Sequence, residues 1–453
     1  MNFKNKKVTV IGAGITGIST AAFLKKRGAD VWVTDDNQKS DFSNIAKTFD
    51  RDGIKYEFGK HSKNVFKGSE LVILSPGVSL DSAVVRLLKK MSIPFTGEIE
   101  FAYQYCKTKN IIAITGTNGK TTTSSLIAHI LKPKRKVFLC GNIGTPLIKY
   151  VDEIKAHDFV VLEISSFQLE TINKFRPRVS VLLNVTDDHL DRYRSFTEYE
   201  KAKLLIFKNQ KKDDYAIVNF ENANCKKFST NAKLLTFSID NKKASSYYEN
   251  GKVMYAAGKI KKYVTLELDK YKVQGYQNIE NILASFLTAH VLKMNDSYIN
   301  GRIKSFKPLP HRCEYIGKLN DIHFIDDSKG TNIDSTYKAL ISCTRPVVLI
   351  AGGIDKQGDY DVIKGLVRQK VRCLVLIGRA KNKLYSIFHK ITKTVKADTL
   401  QDAVIKSFQN ANKGDDVLLS PMCSSFDMFR DYKHRGEVFA KAFKDLANKY
   451  NKG

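Results

Sequence analysis

Residues 110–125, NIIAITGTNGKTTTSS, restrict what this chain can fold into more than any other stretch. Ile111, Ile112, Ala113 and Ile114 form an apolar run with the composition of a strand buried on both faces, as in a parallel sheet. They lead directly into Thr115-Gly116-Thr117-Asn118-Gly119-Lys120-Thr121-Thr122, and then into a helix-like stretch over 124–131. A buried strand, a glycine turn, a Lys-Thr pair and a helix make a phosphate cradle. The glycines let backbone N–H groups approach phosphate oxygens, the lysine reaches the β- and γ-phosphates, and the threonine hydroxyl can hold Mg²⁺. Gly116, Thr117, Asn118, Gly119, Lys120, Thr121 and Thr122 are therefore the expected nucleoside triphosphate contacts. The loop departs from GxxxxGK[ST], because Ile114 stands where the first glycine would be.

At 453 residues the chain is too long for one core, and its length predicts about three domains. Residues 7–12 read as a buried strand, Gly12-Ala13-Gly14-Ile15-Thr16-Gly17 opens a helix over 18–27, and a strand over 29–34 ends at Asp35-Asp36. This is GxGxxG with an acidic residue about 20 positions on, a Rossmann pattern. Its turn aims helix amides at a pyrophosphate, and the carboxylate can take a ribose hydroxyl. Alone it suggests NAD or FAD. It supports a pyrophosphate-bearing nucleotide more strongly than hydride chemistry, since nothing in it identifies the base. Residues 70–74 predict another strand, with Ser75-Pro76-Gly77-Val78 at its carboxyl end, where open α/β sheets bind ligands. Residues 91–95 predict a last short strand. The start, MNFKNKK followed by VTVIGAGITGISTAAF, imitates a signal peptide. The Rossmann spacing of its glycines and the strand-like sequence from Val31 make it the first folded element instead.

The second unit begins with the phosphate loop. Gly141-Asn142-Ile143-Gly144 is a turn after a strand over 137–140. FVVLE at 159–163 is a hydrophobic strand ending in Glu163, the place for a Mg²⁺ ligand downstream of a phosphate loop. The alternative is that Glu163 caps the next helix. A strand over 179–184 leads to Asp187-Asp188-His189-Leu190-Asp191-Arg192-Tyr193. A lone histidine is usually structural, but His189 follows a strand end among three acids, which favours a site. Lys203, in a helix over 197–208, is by composition a surface lysine. Residues 212–272 are polar, with strand-like pieces at 215–219 and 264–268 and no catalytic signal. Asn278 and Asn281 lead an apolar helix, and Pro-rich 306–312 reads as a linker. The third unit again alternates strand and helix. Its polar clusters, at 326–332, 352–356 and 420–429, all follow strands, which places them on one rim of a parallel sheet facing a shared cleft.

The net charge is +29, but the basic residues come in short dispersed groups, with no basic tail and no basic stripe interleaved with aromatics. That favours solvated faces over nucleic-acid binding. The seven cysteines lie at 106, 140, 225, 313, 343, 373 and 423. None has CxxC spacing, so no zinc cluster is expected, and their odd number suits a reducing cytoplasm. No apolar run approaches the roughly 20 residues of a membrane span.

GTNGKTT, LEISSFQLE, NVTDDHLDRY, the Asn278/Asn281 pair, LPHRCE, DDSKGTN, AGGIDK and LLSPMCSSFDMF follow one another in the order of the Mur ligases, which the whole chain resembles. The first unit, ISSFQLE and the SPxxxSFDxFxxYxxRG ending are most similar to the D-glutamate-adding branch. The resemblance implies an α/β protein of three domains. These are a Rossmann-like unit at 1–97 that binds a UDP-substrate, a central P-loop ATPase-like parallel sheet at 98–305, and a Rossmann-like carboxy-terminal unit at 306–453. It implies a cytoplasmic, monomeric, ATP-dependent amide-forming ligase of peptidoglycan precursor synthesis. Such an enzyme would join D-glutamate to UDP-N-acetylmuramoyl-L-alanine through an acyl phosphate, with two Mg²⁺ ions and with no NAD, nucleic acid or membrane insertion.

The same resemblance implies the site. Lys120 and Thr121 would hold phosphates and one Mg²⁺, and Glu163 and His189 the second. A lysine at the Lys203 position is carbamylated by CO₂ in this family, with Lys201 as the neighbouring competitor. Asn281, Arg312 and Asp327 would meet adenine, phosphate and ribose, and Lys329 the transferred phosphoryl group. Gln277 replaces the usual histidine. Thr331, Lys356, Ser425 and Tyr432 would meet D-glutamate, with Lys356 supplying the cation that a dianion needs. The uridine nucleotide would lie on Ile15, Thr16, Asp35, Asp36, Ser75 and Asn142, so that GxGxxG binds a UDP-sugar. Rival readings explain less. The L-alanine-adding ligases and folylpolyglutamate synthase share the chemistry, but the SFDMF string and the Rossmann unit speak against the second. A dehydrogenase leaves the phosphate loop unexplained, and a nucleic-acid-dependent NTPase rests on charge alone.

Overall fold

The computed structural model describes residues 3–38, 42–188, 192–226, 228–257, 260–265 and 276–450. They form three sheets. The first joins β1 (Lys7–Ile11), β2 (Asp30–Asp35), β3 (Lys55–Phe58), β4 (Leu71–Leu74) and β5 (Phe95–Gly97) in the order β3-β2-β1-β4-β5, all parallel. Helix Ile15–Lys26 follows the glycine turn. A Cβ on Gly17 would lie 1.8 Å from the Gly12 carbonyl oxygen, so only glycine lets the helix start this close to β1. The last strand begins at Phe95 and not at Met91, because Met91 ends helix Ala83–Lys90 and Ser92 turns the chain with φ +55°.

The second sheet contains β6 (Ile111–Thr115), β7 (Val137–Gly141), β8 (Phe159–Glu163), β9 (Val179–Leu182), β10 (Tyr215–Asn219), β11 (Lys233–Ser238), β12 (Ser246–Glu249), β13 (Lys252–Ala257) and β14 (Ile260–Thr265). Their order is β14-β13-β12-β11-β10-β9-β6-β8-β7, parallel from β7 to β12 and antiparallel across β12, β13 and β14. The polar segment after 212 therefore supplies five strands. At a sheet edge with one solvated face, strands need only alternate apolar residues, as in KVMYAA, so their signal is weak. Helices Lys120–Leu131 and Tyr276–Val291 cover one face through Leu126, Ile130, Leu283 and Phe286. The opposite face shares one continuous core with the first sheet, through Phe23, Phe101, Leu162 and Phe175. At this junction Glu100 accepts backbone N–H groups from Asn173, Lys174 and Phe175 at 2.8–2.9 Å, and Asp152 pairs with Lys26 and Arg27.

The third sheet contains β15 (Glu314–Leu319), β16 (Ile322–Asp326), β17 (Val347–Gly352), β18 (Val371–Ile377), β19 (Lys393–Lys396) and β20 (Asp416–Leu419), in the order β15-β16-β20-β17-β18-β19. Only β15 is antiparallel to its neighbour. Its cores lie entirely between Cys313 and Ala447 and include no residue of the other two units. Among the described residues, no helix is long and apolar enough to cross a membrane.

Candidate active site

The carboxyl ends of β6, β8 and β9 and those of β16, β17 and β20 face each other across a cavity of about 560 Å³. The phosphate loop forms its floor. Ile114, the residue in place of the first glycine, is wholly buried inside β6 and pairs with Val181 and Glu163, so the position belongs to the strand and not to the loop. The glycine that matters is Gly119, at φ +86°, where a Cβ would lie 2.4 Å from Asn281 Oδ1. Asn184, just past β9, shapes the loop: its carbonyl accepts from Thr117 N at 2.9 Å and its Oδ1 from Asn118 N at 2.8 Å. Lys120 Nζ donates to the loop's own carbonyls, Gly116 O at 2.7 Å and Thr117 O at 2.9 Å. Burial lowers its pKa, against the pull of Glu163 and Asp188.

Glu163 ends β8 with its side chain in the cavity. Oε1 accepts from Asn142 Nδ2 at 2.9 Å, while Oε2 is buried and has no hydrogen-bond partner among the described residues. It is not a helix cap, because Ser165 caps helix Ser166–Leu169 in a reciprocal box with Gln168. Lys203 is not a surface residue, as its composition suggests. Helix Phe196–Leu204 turns Tyr199, Ala202 and Lys203 inward, while Lys201 stays exposed. Lys203 is 2% exposed, donates to Gly116 O at 3.0 Å and lies 4.5 Å from the Tyr199 ring centre. Burial, reinforced by the nearby Lys120, holds its amine well below the usual lysine range. His189 lies outside the described residues, as does the side chain of Gln277.

The third unit contributes the opposite wall. Asp327 accepts from Ser420 Oγ at 2.7 Å, and burial pushes its carboxyl up to about 7. Burial likewise lowers Arg312, and His311 Nδ1, 2.7 Å from Asp326 Oδ2, anchors the turn that carries it. Lys329 lies 4.0 Å from the ring centre of Tyr432, and its amine is lowered to about 7 by burial and then by Arg312 and Lys120. The fully buried Arg435 ties this loop down, donating to Ser328 Oγ at 3.0 Å, Ser328 O at 2.8 Å and Cys423 O at 3.3 Å. Lys356, Thr331 and Ser425 line the same cavity, and Lys356 Nζ pairs with Asp188 Oδ1 at 2.9 Å.

Thus Lys120, Glu163, Lys203, Asn281, Arg312, Asp327, Lys329, Thr331, Lys356, Ser425, Tyr432 and Asn142 meet in one cavity. Ile15, Thr16, Asp35, Asp36 and Ser75 do not line it; they stand at the carboxyl edge of the first sheet. There Ile15 is 68% exposed, and Asp35 fastens the glycine turn by accepting from Ala13 N at 2.8 Å and Asn37 N at 3.0 Å. Arg192 ties the central unit to this edge, donating to Pro76 O, Gly77 O and Val78 O at 3.2–3.3 Å and to Glu170 Oε2 at 3.3 Å. Sequence reasoning missed Asn184 and Asn332. Asn184 follows β9, where the strand-exit rule could have found it. Asn332 caps helix Ile333–Ser342 and bonds both Asn118 and Asp188 across the cavity.

A magnesium ion suits this donor set. The buried Glu163 Oε2 has no partner among the described residues, and hard oxygen donors surround a phosphate loop. Thr121, Glu163, a carbamylated Lys203 and His189 are the candidates to hold it.

The chain resembles known proteins over nearly its whole length. The profile of the MurD-like N-terminal domain of Mur ligases matches residues 6–97, that of the Mur ligase middle domain residues 114–289, and that of the Mur ligase glutamate ligase domain residues 311–423. The UDP-N-acetylmuramoylalanine--D-glutamate ligase of Geotalea daltonii is 41% identical, over 99% of this chain and 99% of its own length. That of Thermoanaerobacter sp. strain X514 is 38% identical, over 98% of this chain and all of its own. Among solved structures, the MurF ligase of Thermotoga maritima in complex with ADP has a TM-score of 0.61 at 17% identity, covering 99% of this chain and 96% of its own. The pseudomurein peptide ligase type C of Methanothermus fervidus has a TM-score of 0.60 at 21% identity, covering 98% and 100%.

Proposed function

The chain belongs to the Mur ligase family of ATP-dependent amide-forming ligases, and on that premise we propose that it joins D-glutamate to UDP-N-acetylmuramoyl-L-alanine through an acyl phosphate, releasing ADP and phosphate. The observation that carries this reading is the single cavity in which a phosphate loop, an unpartnered buried carboxylate and a buried lysine face Lys356 and Ser425 of the third unit. A carboxylate is a poor acyl donor, so one of its oxygens first attacks the γ-phosphorus of ATP and ADP leaves. The amine of D-glutamate then attacks the carbonyl carbon, the C–O bond to phosphate breaks, and the amine loses its extra proton. Lys120, Lys329 and Arg312 hold the phosphoryl oxygens, whose negative charge restores the positive charge that burial disfavours on the two lysines. Asn281 and Asp327 bind adenine and ribose.

Thr121, Glu163, His189 and Lys203 would hold Mg²⁺, two ions in all, and the metal supplies charge neutralisation at the phosphates when bound. For Lys203 this requires carbamylation: the neutral amine adds to CO₂ and releases a proton, turning a cation into an anionic ligand. Its depressed pKa supports that step, because a protonated amine has no lone pair to offer. Lys356 clamps a D-glutamate carboxylate, displacing Asp188, with Thr331, Ser425 and Tyr432 around it. Ile15, Thr16, Asp35, Asp36, Ser75 and Asn142 carry the UDP-sugar, in the cytoplasm, where the monomer meets its substrates. The test is phosphate release from ATP and Mg²⁺ with UDP-N-acetylmuramoyl-L-alanine, comparing D-glutamate, L-glutamate, L-alanine and no amino acid. Turnover with L-alanine and UDP-N-acetylmuramate instead would refute the assignment.

A further inference from the structure

Among the described residues the apolar cores of the third unit, from Cys313 onward, include no residue of the central one, while the linker residues Phe306 and Leu309 pack into the central core. The contacts that helix Ile333–Ser342 makes across the cavity are polar. On one side of the cavity Asn118 of the phosphate loop donates to Asp334 at 2.7 Å and accepts from Ser335 at 2.8 Å. On the other side Lys338 Nζ donates to Glu280 Oε2 at 2.8 Å. Asp334, Ser335 and Lys338 all belong to helix Ile333–Ser342, so this one helix spans the nucleotide cavity from the phosphate loop to the helix that carries Asn281.

The Glu280–Lys338 pair is built as an interface contact. Each side chain is only 13% exposed, and Glu280 Oε1 is fixed by Asn219 Nδ2 at 2.8 Å, at the end of β10. Lys338 has one further acid near it, Asp334, at 3.9 Å on its own helix. Neither partner has a role in the chemistry derived above. We infer that Glu280 and Lys338 are the positioning pair that latches the third unit shut over the nucleotide and so assembles the D-glutamate site; this rests on the ligase reading. Removing Lys338 leaves the Glu280 carboxylate to be buried without its counter-ion each time the cavity closes, and removing Glu280 leaves Lys338 only the more distant Asp334 on its own helix; both favour the open arrangement. Thr331, Lys356 and Ser425 travel with the third unit, whereas the UDP-sugar residues belong to the first two. The cost therefore falls on D-glutamate and on ATP, which Arg312, Asp327 and Lys329 of the third unit also meet, and not on the UDP-substrate; with ATP saturating it is read in D-glutamate.

Steady-state kinetics and X-ray scattering test this on Lys338→Met, Glu280→Gln and the double variant. Contacting residues in one ion pair couple strongly enough to expect a rise of about tenfold in KM for D-glutamate, ~1.4 kcal/mol. KM for the UDP-substrate should stay within about twofold, and the double variant should be no worse than either single one. With a non-hydrolysable ATP analogue, the variants should have a larger radius of gyration than the wild type. An unchanged D-glutamate KM, a loss confined to kcat with an unchanged radius, or strictly additive singles would overturn the latch. Glu280→Gln keeps the shape and the bond to Asn219, so it decides the matter should Lys338→Met not fold. A wild type without D-glutamate-dependent turnover would fail the reading of the reaction, whereas flat variants beside an active wild type fail the latch alone.

Discussion

Binding of ATP should draw a proton from solution onto Lys329. In the unliganded cavity burial, Arg312 and Lys120 lower its amine to about 7. A triphosphate placed against it adds several negative charges and returns it towards the ordinary lysine value of about 10.4. At pH 8 a group with a pKa of about 7 is roughly one-tenth protonated, so binding should take up about 0.9 proton at this site; at pH 6 the uptake should be only about 0.1. The sign follows from linkage: the ligand prefers the protonated lysine, so affinity is fully present below pH 7 and falls as pH rises above it. Near pH 8 the fall is about 0.9 log unit per pH unit. Titration calorimetry in two buffers of different ionisation enthalpy measures the uptake directly. Lys120 is also depressed by burial and adds uptake of its own, so the decisive quantity is the difference between wild type and Lys329→Met at pH 8. A difference near zero, with binding intact, would refute the placement of Lys329 against the phosphates.

Three further outcomes are expected. Lys203→Ala should lower kcat by about 10²-fold or more, as loss of a metal-supporting group does, with partial recovery on adding formate or acetate; full activity would reject the carbamate role. Lys356→Ala should raise KM for D-glutamate by about 30-fold or more, the cost of truncating a desolvated charge contact, and leave KM for ATP unchanged; an unaltered D-glutamate KM would move the carboxylate clamp elsewhere. Gly119→Ala combines a positive φ with a Cβ 2.4 Å from Asn281 Oδ1, so binding of a fluorescent ATP analogue should be lost while urea unfolding stays cooperative; wild-type affinity would refute the close approach.

Legibility in the sequence followed the reach of each pattern. Strand exits were readable, because a run such as FVVLE or IHFID predicts both a buried strand and the polar group at its end, and Glu163 and Asp327 lie where that rule places them. Helix periodicity held information that composition concealed. Tyr199, Ala202 and Lys203 are spaced at i, i+3 and i+4, the mark of one buried face, and the lysine occupies a core-facing position in that pattern. The edge strands β12 and β13 left little trace, since a half-solvated antiparallel ribbon needs few apolar residues, whereas the strand-like piece at 264–268 overlaps the end of β14 at Val264 and Thr265 and otherwise lies outside the described residues.

Contacts between units left none at all. Glu280 and Lys338 are 58 residues apart on helices of different sheets, each unremarkable in its own element. The same holds for Asp188 and Lys356, 168 residues apart. Local patterns encode which face of an element is buried and where its strand ends, and so they locate the two walls of the cavity. The distance between the walls depends on how the third unit docks, and the contacts described across the cavity are polar, with no apolar periodicity to betray them. If the cavity opens to admit ATP and D-glutamate, as the proposed reaction requires, an apolar core could not seal it, because burying that much surface would hold it shut. The polar character that hides the interface in the sequence is therefore the property that the latch inferred for Glu280 and Lys338 would need.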